Sequence, residues 1–180
     1  MTQTLTIHPL APEDEPSACR VFEAAIAEAF KQQGIGHCKS DIFKEIEAKK
    51  ELVRSSLDPA GSPVTFLVAE CKGEVVGAIS FGPCGQEIQT CTEHELDGVG
   101  ELGSLYVLPR AQNQGIGSAL IKEMIALLKK RGIDRFCLDS GYLAAQIRWR
   151  RKFGEPYKIV EDFWGPDSPH MVWLCEVKDF

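Results

Sequence analysis

The chain has 180 residues, 44% of them hydrophobic and 26% charged, with a formal net charge of −6. Its length suits one domain over residues 1–180 with a hydrophobic core of its own, rather than two small ones. The negative charge is the wrong sign for a general nucleic-acid binder, and no apolar run approaches the roughly 20 residues of a membrane-spanning helix.

Thr4 to Leu10 alternates apolar and polar residues and reads as a half-buried strand. Pro12 and the acidic run Glu13-Asp14-Glu15 open a helix whose apolar stripe is Ala18, Val21, Phe22, Ala25, Ile26, Ala29 and Phe30; Gly34 ends it. A second helix starts near Ser40 or Asp41, carries Ile42, Phe43, Ile46, Val53 and Leu57 on one face, and stops at Pro59 and Gly61. Val64 to Cys71 and Glu74 to Phe81 are strands, and Lys72-Gly73 between them is a hairpin signal. Gly82 to Gly98 is polar, glycine-bearing and without period, and reads as a long loop. Val99 to Val107 is the next strand, closed by Leu108-Pro109-Arg110.

Gly115 to Arg131 is the most regular helix, with Ile116, Leu120, Met124, Leu127 and Leu128 as its stripe. Lys129, Lys130 and Arg131 complement its C-terminal dipole, and Gly132 suits the position after its end. Arg135 to Asp139 is a short buried strand and Leu143 to Lys152 a short basic helix. Lys158 to Phe163 and Met171 to Val177 form a final antiparallel pair. This order predicts an α/β fold, a mixed sheet with helices on both faces. Neither a repeat nor a linker divides it. No secretory signal is expected from the N-terminal residues, and the seven cysteines show no Cys-x-x-Cys spacing. Reduced thiols and a cytoplasmic location are expected.

The chemistry is concentrated in Glu101 to Ser118, a strand, a short turn and a helix beginning Gly115-Ile116-Gly117. Glycine lets a ligand approach the backbone, and a helix start offers unpaired N–H groups and a positive dipole end to an anion. Gln112, Asn113 and Gln114 can add side-chain donors. A nucleotide P-loop would need Lys after the second glycine, where Ser118 stands, and is discarded. A dinucleotide fingerprint would need Gly or Ala at Leu120 and usually sits at the first strand-to-helix turn; Asp139, 22 residues beyond Gly117, is its one supporting feature. A plain tight turn is the remaining bland reading.

Gln112-x-x-Gly115-x-Gly117, preceded by Leu105-Tyr106-Val107-Leu108-Pro109, resembles the acetyl-CoA signature of the GNAT superfamily of N-acetyltransferases, Arg/Gln-x-x-Gly-x-Gly/Ala on a strand–turn–helix. The element order over nearly the whole chain is similar too. The resemblance implies a mixed, mostly antiparallel sheet in which the Val99–Val107 strand splays from Arg135–Asp139, with acetyl-CoA in the opening. It implies that the amides of Gln112, Asn113, Gln114, Gly115, Ile116, Gly117 and Ser118 hold the diphosphate. Leu105, Tyr106 and Val107 would pair with the pantetheine arm, and the Val107 N–H would polarise the thioester carbonyl. It further implies direct attack by an amine of a small molecule or peptide within a ternary complex. A non-catalytic acyl-CoA sensor on the same fold is the alternative, and dimerisation is compatible with the family.

Catalytic candidates follow from what transfer needs: a neutral amine, a stabilised oxyanion and a protonated thiolate. Glu101, six residues before Val107, is where several members place a base; a solvated strand-edge carboxylate is the competing reading. Strand alternation sets Glu101, Gly103 and Leu105 on one face and Leu102, Ser104 and Tyr106 on the other, with Ser104 and Tyr106 as further wall residues. Many relatives carry Asn-x-x-Ala-x-x-x-Tyr-Glu-Lys on the last helix. Aligning Ala145 with that alanine puts Trp149 at the tyrosine and Tyr142 at the asparagine. An indole is only a donor, so Tyr142, water or no side chain protonates the thiolate, while Trp149 packs on the pantetheine or in the core.

Other features rank lower. Arg148, Arg150 and Arg151 read as a solvated basic face, with contacts to CoA phosphates as the alternative. Cys84, Cys91 and His94, with Glu93, Glu95 and Asp97, fit no standard zinc spacing, and no metal is expected. Their loop reads as solvated, with attraction of a cationic amine as the sharper alternative. Trp164, His170 and Trp173 read as core or edge residues, with an acceptor-pocket wall or a dimer edge as the other reading.

Overall fold

The computed structural model describes residues 5–180; Thr4, the expected first residue of the opening strand, lies outside them. In chain order the elements begin β1 (Leu5–Pro9), α1 (Glu15–Gln32), α2 (Lys39–Ser56), β2 (Thr65–Cys71), β3 (Glu74–Gly82) and α3 (Gln86–Cys91). They continue β4 (Gly100–Val107), α4 (Ile116–Lys130), β5 (Arg135–Ser140), α5 (Leu143–Phe153), β6 (Lys158–Val160) and β7 (His170–Glu176). None of the described helices is long and apolar enough to cross a membrane. Contacts divide the chain into two compact units: residues up to Phe81 with Ser104–Leu127, and Gly82–Gly103 with Leu128–Phe180.

In the first unit the strand order is β1-β2-β3-β4. β1 and β2 are antiparallel, with Ile7 opposite Ala69, and β2 and β3 are antiparallel, with Val68 opposite Ala78. Lys72 and Gly73 are both left-handed (φ 54° and 77°), the backbone a two-residue hairpin requires. Alternation gives this sheet two buried faces. On one, Phe66 of β2 meets Phe22 of α1 edge-on, with ring centroids 6.3 Å apart. On the other, a Cβ placed on Gly77 would stand 3.1 Å from Leu120 and 3.3 Å from Ile116, both of α4. Helices therefore cover both faces, as β2 and β3, largely apolar and buried through their middles, require.

α1 starts on a tied loop: the Asp14 carboxylate accepts the Ala11 N–H at 2.8 Å, and the Ser17 hydroxyl donates to the Asp14 carbonyl. It ends with Gly34 at φ 81° and the Ile35 N–H bonded back to Phe30, which satisfies carbonyls a helix end would otherwise expose. α2 departs from expectation in one residue. Ile42 and Val53 are buried, but Phe43 is 65% exposed. One step round a helix from Ile42 is about 100°, which carries Phe43 off the buried stripe.

In the second unit the strand order is β4-β5-β7-β6. β4 and β5 are parallel and pair only through Gly100–Phe136 and Glu101–Cys137, whereas β5 pairs with β7 along its whole length. This limited parallel pairing is the expected splay. Cys84, Ile88, Cys91, Leu96, Val99, Cys137 and Val172 pack together on one face. Phe136 meets Phe153 of α5 on the other, at 5.9 Å. Residues 82–98 are thus not simply a loop, because α3 lies within them with Ile88 and Cys91 turned to this core. The last hairpin is shorter than Lys158 to Phe163 predicts, since β6 stops at Val160 before left-handed Asp162 (φ 53°).

Candidate active site

Beyond β4, a 3-10 turn at Pro109–Ala111 leads to Gln112 and the glycines. Asn113 (φ 61°) and Gly115 (φ 83°) are left-handed, which asparagine tolerates and glycine permits without strain. The Gln112 side-chain amide donates to the Val107 carbonyl at 3.1 Å, and that of Gln114 to the Arg110 carbonyl at 3.2 Å. Both side chains, expected to face outward as donors, instead tie the turn together from within. The main chain is left to offer the donors. None of the amides from Asn113 to Ser118 reaches a main-chain acceptor among the described residues, and the first helical bond runs from Ala119 to Gly115.

Gly117 is the informative glycine. A Cβ there would meet only Val107, at 3.9 Å, so packing within the protein does not demand glycine. At Gly115 a Cβ would meet no atom within 4 Å, and its positive φ alone accounts for the residue. Six amides without a main-chain acceptor at a helix start, two of them on glycines, suit a diphosphate.

Within β4, Ser104 has φ 49°, a left-handed residue inside a strand and hence a bulge. The strict alternation expected from Glu101 to Tyr106 is interrupted there. The Tyr106 ring stands edge-on to Phe22 at 5.7 Å, and its hydroxyl donates to Glu45 of α2 at 3.3 Å.

Glu101, at the other end of β4, is half-buried. Its Oε2 accepts the Gly85 N–H at 2.6 Å, which fixes the carboxylate rather than leaving it solvated at a strand edge. Tyr142 caps α5: its N–H donates to the Ser140 hydroxyl at 3.0 Å and its carbonyl accepts from Gln146. Trp149 packs against Phe153 at 5.7 Å, and Phe153 in turn meets Phe136 and Phe180. Arg150 is engaged with Glu155, so one of the three helix arginines already has a partner.

A model of the acetyltransferase (GNAT) family matches residues 37–154, well over half the chain. The chain belongs to the GNAT acetyltransferase family. Acetyl-CoA is the donor used by GNAT enzymes. Solved structures share the GNAT fold at low identity. A GNAT-family protein from Desulfovibrio desulfuricans superposes with a TM-score of 0.72 at 18% identity, over 97% of this chain and 99% of that one. The PaiA N-acetyltransferase of Thermoplasma acidophilum, solved with coenzyme A, gives 0.66 at 19% identity over 94% and 98%. A ribosomal-protein-alanine N-acetyltransferase of Brucella melitensis gives 0.65 at 21% identity over 95% and 99%. No curated protein matches the chain significantly by sequence.

Two arrangements of this GNAT chain lie beyond sequence reasoning. One is the Gly85–Glu101 bond, which joins residues 16 apart through the N-terminal cap of an unexpected helix. The other joins Asp139, His170 and Trp164: His170 Nε2 is 2.8 Å from the Asp139 carboxylate, and Nδ1 accepts the Trp164 N–H at 3.0 Å. The cysteines of the 82–98 segment behave as small hydrophobes, burial raising the thiol pKa of both Cys84 and Cys91, and His94 pairs with Asp97 at 2.9 Å instead. The described residues whose ligand atoms do come together, within 4.8 Å, are His8, Asp14 and Glu70.

Proposed function

We propose that this chain, acting as one domain over residues 1–180, transfers acetyl from acetyl-CoA to a primary amine of a small molecule or peptide. The observation that carries the reading is the set of amides from Asn113 to Ser118, bare at the start of α4 beside a Gly117 that packing does not require. These amides hold the diphosphate, where the helix dipole favours negative charge; the Gln112 N–H, expected among them, is taken by the Pro109 carbonyl at 3.3 Å. The main chain of Leu105, Tyr106 and Val107 pairs with the pantetheine arm, and Trp149 supports it.

In the reaction the amine nitrogen bonds to the thioester carbon, and the carbonyl electrons move to oxygen. The Val107 N–H stabilises that oxyanion. Collapse breaks the C–S bond, the thiolate takes a proton from Tyr142, and the amine's proton leaves to Glu101 directly or through water. The Gly85 N–H on Oε2 holds the Glu101 carboxylate in one orientation. A non-catalytic acyl-CoA sensor is the rival reading, because Trp149 stands where many relatives have a tyrosine.

Calorimetric titration with acetyl-CoA, beside a Gly115→Asp/Gly117→Asp variant, tests the donor half. Tight binding by the wild type alone is expected; binding by neither, or equally by both, removes this reading. CoA release with a panel of amines then separates an enzyme from a sensor. Glu101→Gln is expected to lower kcat/KM about 100-fold or more, in the range of general-base catalysis. An unchanged pH–rate profile in that variant would return Glu101 to a structural role.

A further inference from the structure

Trp164 is 56% exposed, yet its position is fixed from several sides. Its Nε1–H donates to His170 Nδ1 at 3.0 Å. An indole nitrogen only donates, so Nδ1 is the bare nitrogen of His170, and Nε2 carries the hydrogen it gives to Asp139 at 2.8 Å. His170 itself is buried, at 4% exposure. Phe163 stands edge-on to the indole with centroids 4.9 Å apart. Gly141 makes the arrangement possible, because a Cβ there would lie 2.5 Å from Trp164 Nε1 and 3.3 Å from His170 Nδ1.

The loop itself is tied down as well. Trp164 N–H bonds to Ser168, Gly165 to Asp162 and Ser168 to Gly165, while the Asp162 carboxylate accepts the Asp167 N–H at 2.8 Å. Asp162 and Asp167 are left-handed (φ 53° and 56°), a turn conformation that aspartate tolerates. His170 also lies against Phe163 at 5.1 Å, and Phe163 packs on the buried cluster, so the anchor ties the core to a ring that stays in water.

The charge of the loop that carries the ring points to what it is presented to. Residues 161–169 contain Glu161, Asp162 and Asp167 and no lysine or arginine. All three carboxylate residues are exposed. An indole face carries the negative side of its quadrupole, and a cation above it is attracted further by these acids. Gly141 lies between Ser140 and Tyr142, so the platform stands at the end of β5, next to the candidate acid.

We propose that Trp164 is a cation-binding platform that seats a second, protonated amine of the acceptor. This rests on the reading that the acceptor is an amine. The amine that attacks must be neutral, so the ammonium over the indole is a different group, and the acceptor carries at least two amines. Asp139, His170 and Gly141 are positioning residues that act through Trp164.

Calorimetric titration of the full chain with 1,4-diaminobutane, the dipeptide Lys-Gly and n-butylamine tests this, with CoA release measured separately. A cation over an exposed aromatic face contributes about two- to fivefold, and in turnover n-butylamine has no second amine to place there, so kcat/KM for CoA release is expected to favour a two-amine substrate in the wild type by about that factor. The two-amine probes distinguish a free diamine from a peptide as the source. Trp164→Leu, at an exposed position, and Gly141→Ala, which displaces the ring without deleting it, are both expected to abolish the preference. Trp164→Phe should keep part of it. A preference that survives in Trp164→Leu, or none in the wild type, overturns the platform. Trp164-dependent binding with no CoA release from any amine would instead keep the platform and remove acetyl transfer.

Discussion

At the start of α4 the polar groups on offer are main-chain amides, whereas at the end of β5 they are side chains gathered from Asp139, Trp164 and His170. In the first region the side chains of Gln112 and Gln114 turn back onto carbonyls, and the donors that remain belong to the backbone. In the second the backbone is occupied by β5–β7 pairing and loop bonds, and recognition is left to an indole. The first arrangement fits a group that does not vary from one acyl-CoA to the next, the diphosphate. The second can be altered one residue at a time, which suits an acceptor that differs between enzymes of one fold.

The largest effect that sharpens this contrast is at the glycines. Gly115→Asp/Gly117→Asp places two carboxylates against the amides and is expected to weaken acetyl-CoA binding at least about 100-fold, a loss of roughly 3 kcal/mol. Calorimetry reads the affinity, and an unchanged preference for diamines in the same variant would keep the two regions independent.

His170→Ala acts on the other side of the comparison. It leaves the Trp164 N–H and the Asp139 carboxylate without their partner and opens a gap beneath the indole. A cost of about 2 kcal/mol is expected from a buried group losing its hydrogen bonds. Urea unfolding measures it. The acetyl-CoA affinity should stay within twofold of wild type, and a larger change would mean that the two regions are not separately built.

The two regions also differ in how far they can be read from sequence. Gly115, Gly117 and Gln112 lie within six residues of one another, so strand, turn and helix start are a local pattern. The long stripes of α1 and α4 and the hairpin at Lys72-Gly73 are local in the same sense, and those elements stand within a few residues of expectation. What escapes is either short or distant. α3 has six residues, too few for a 3.6-residue period to show, so Ile88 and Cys91 do not reveal that they face a core. The bulge at Ser104 follows Gly103, a glycine inside the strand that marks a bulge but that strict alternation passes over. His170 and Asp139 are 31 residues apart, and neither announces the other. Trp164 reads as a core or edge residue, or as an acceptor-pocket wall or dimer edge, and only the structure shows its exposure.

The second unit's reliance on buried side chains gives it a pH limit. Burial, then the charge of Glu101, pushes the Cys137 thiol far above its ordinary range, and burial with Asp179 pushes Cys175 up to about 12. Unfolded thiols release their protons near pH 8.5, while the folded ones hold them. Above that pH the unfolded state binds fewer protons, so stability is whole below about pH 8.5 and falls as pH rises toward the folded values. The loss is at most about 1.4 kcal/mol per pH unit for each thiol. Unfolding midpoints at pH 8, 9.5 and 10.5 should fall less steeply in Cys137→Ala and Cys175→Ala than in wild type. Equal slopes would place the alkaline limit elsewhere.

The smallest effect separates two glycines that are neighbours in the turn. Gly117→Ala adds a methyl group that meets only Val107 at 3.9 Å, at a helical position where alanine is favoured by up to about 1 kcal/mol. Gly115→Ala forces a side chain into φ 83° and should cost about 1 kcal/mol instead. Substitutions of the same size two residues apart are thus expected to shift the urea midpoint in opposite directions. Acetyl-CoA affinity should fall only modestly in Gly117→Ala, since a single methyl group narrows the approach without adding charge, and alanine fits the resembled signature at that place. Were both variants destabilised alike, glycine at 117 would be required by the fold, and the case for a ligand at the bare amides would lose its independent support.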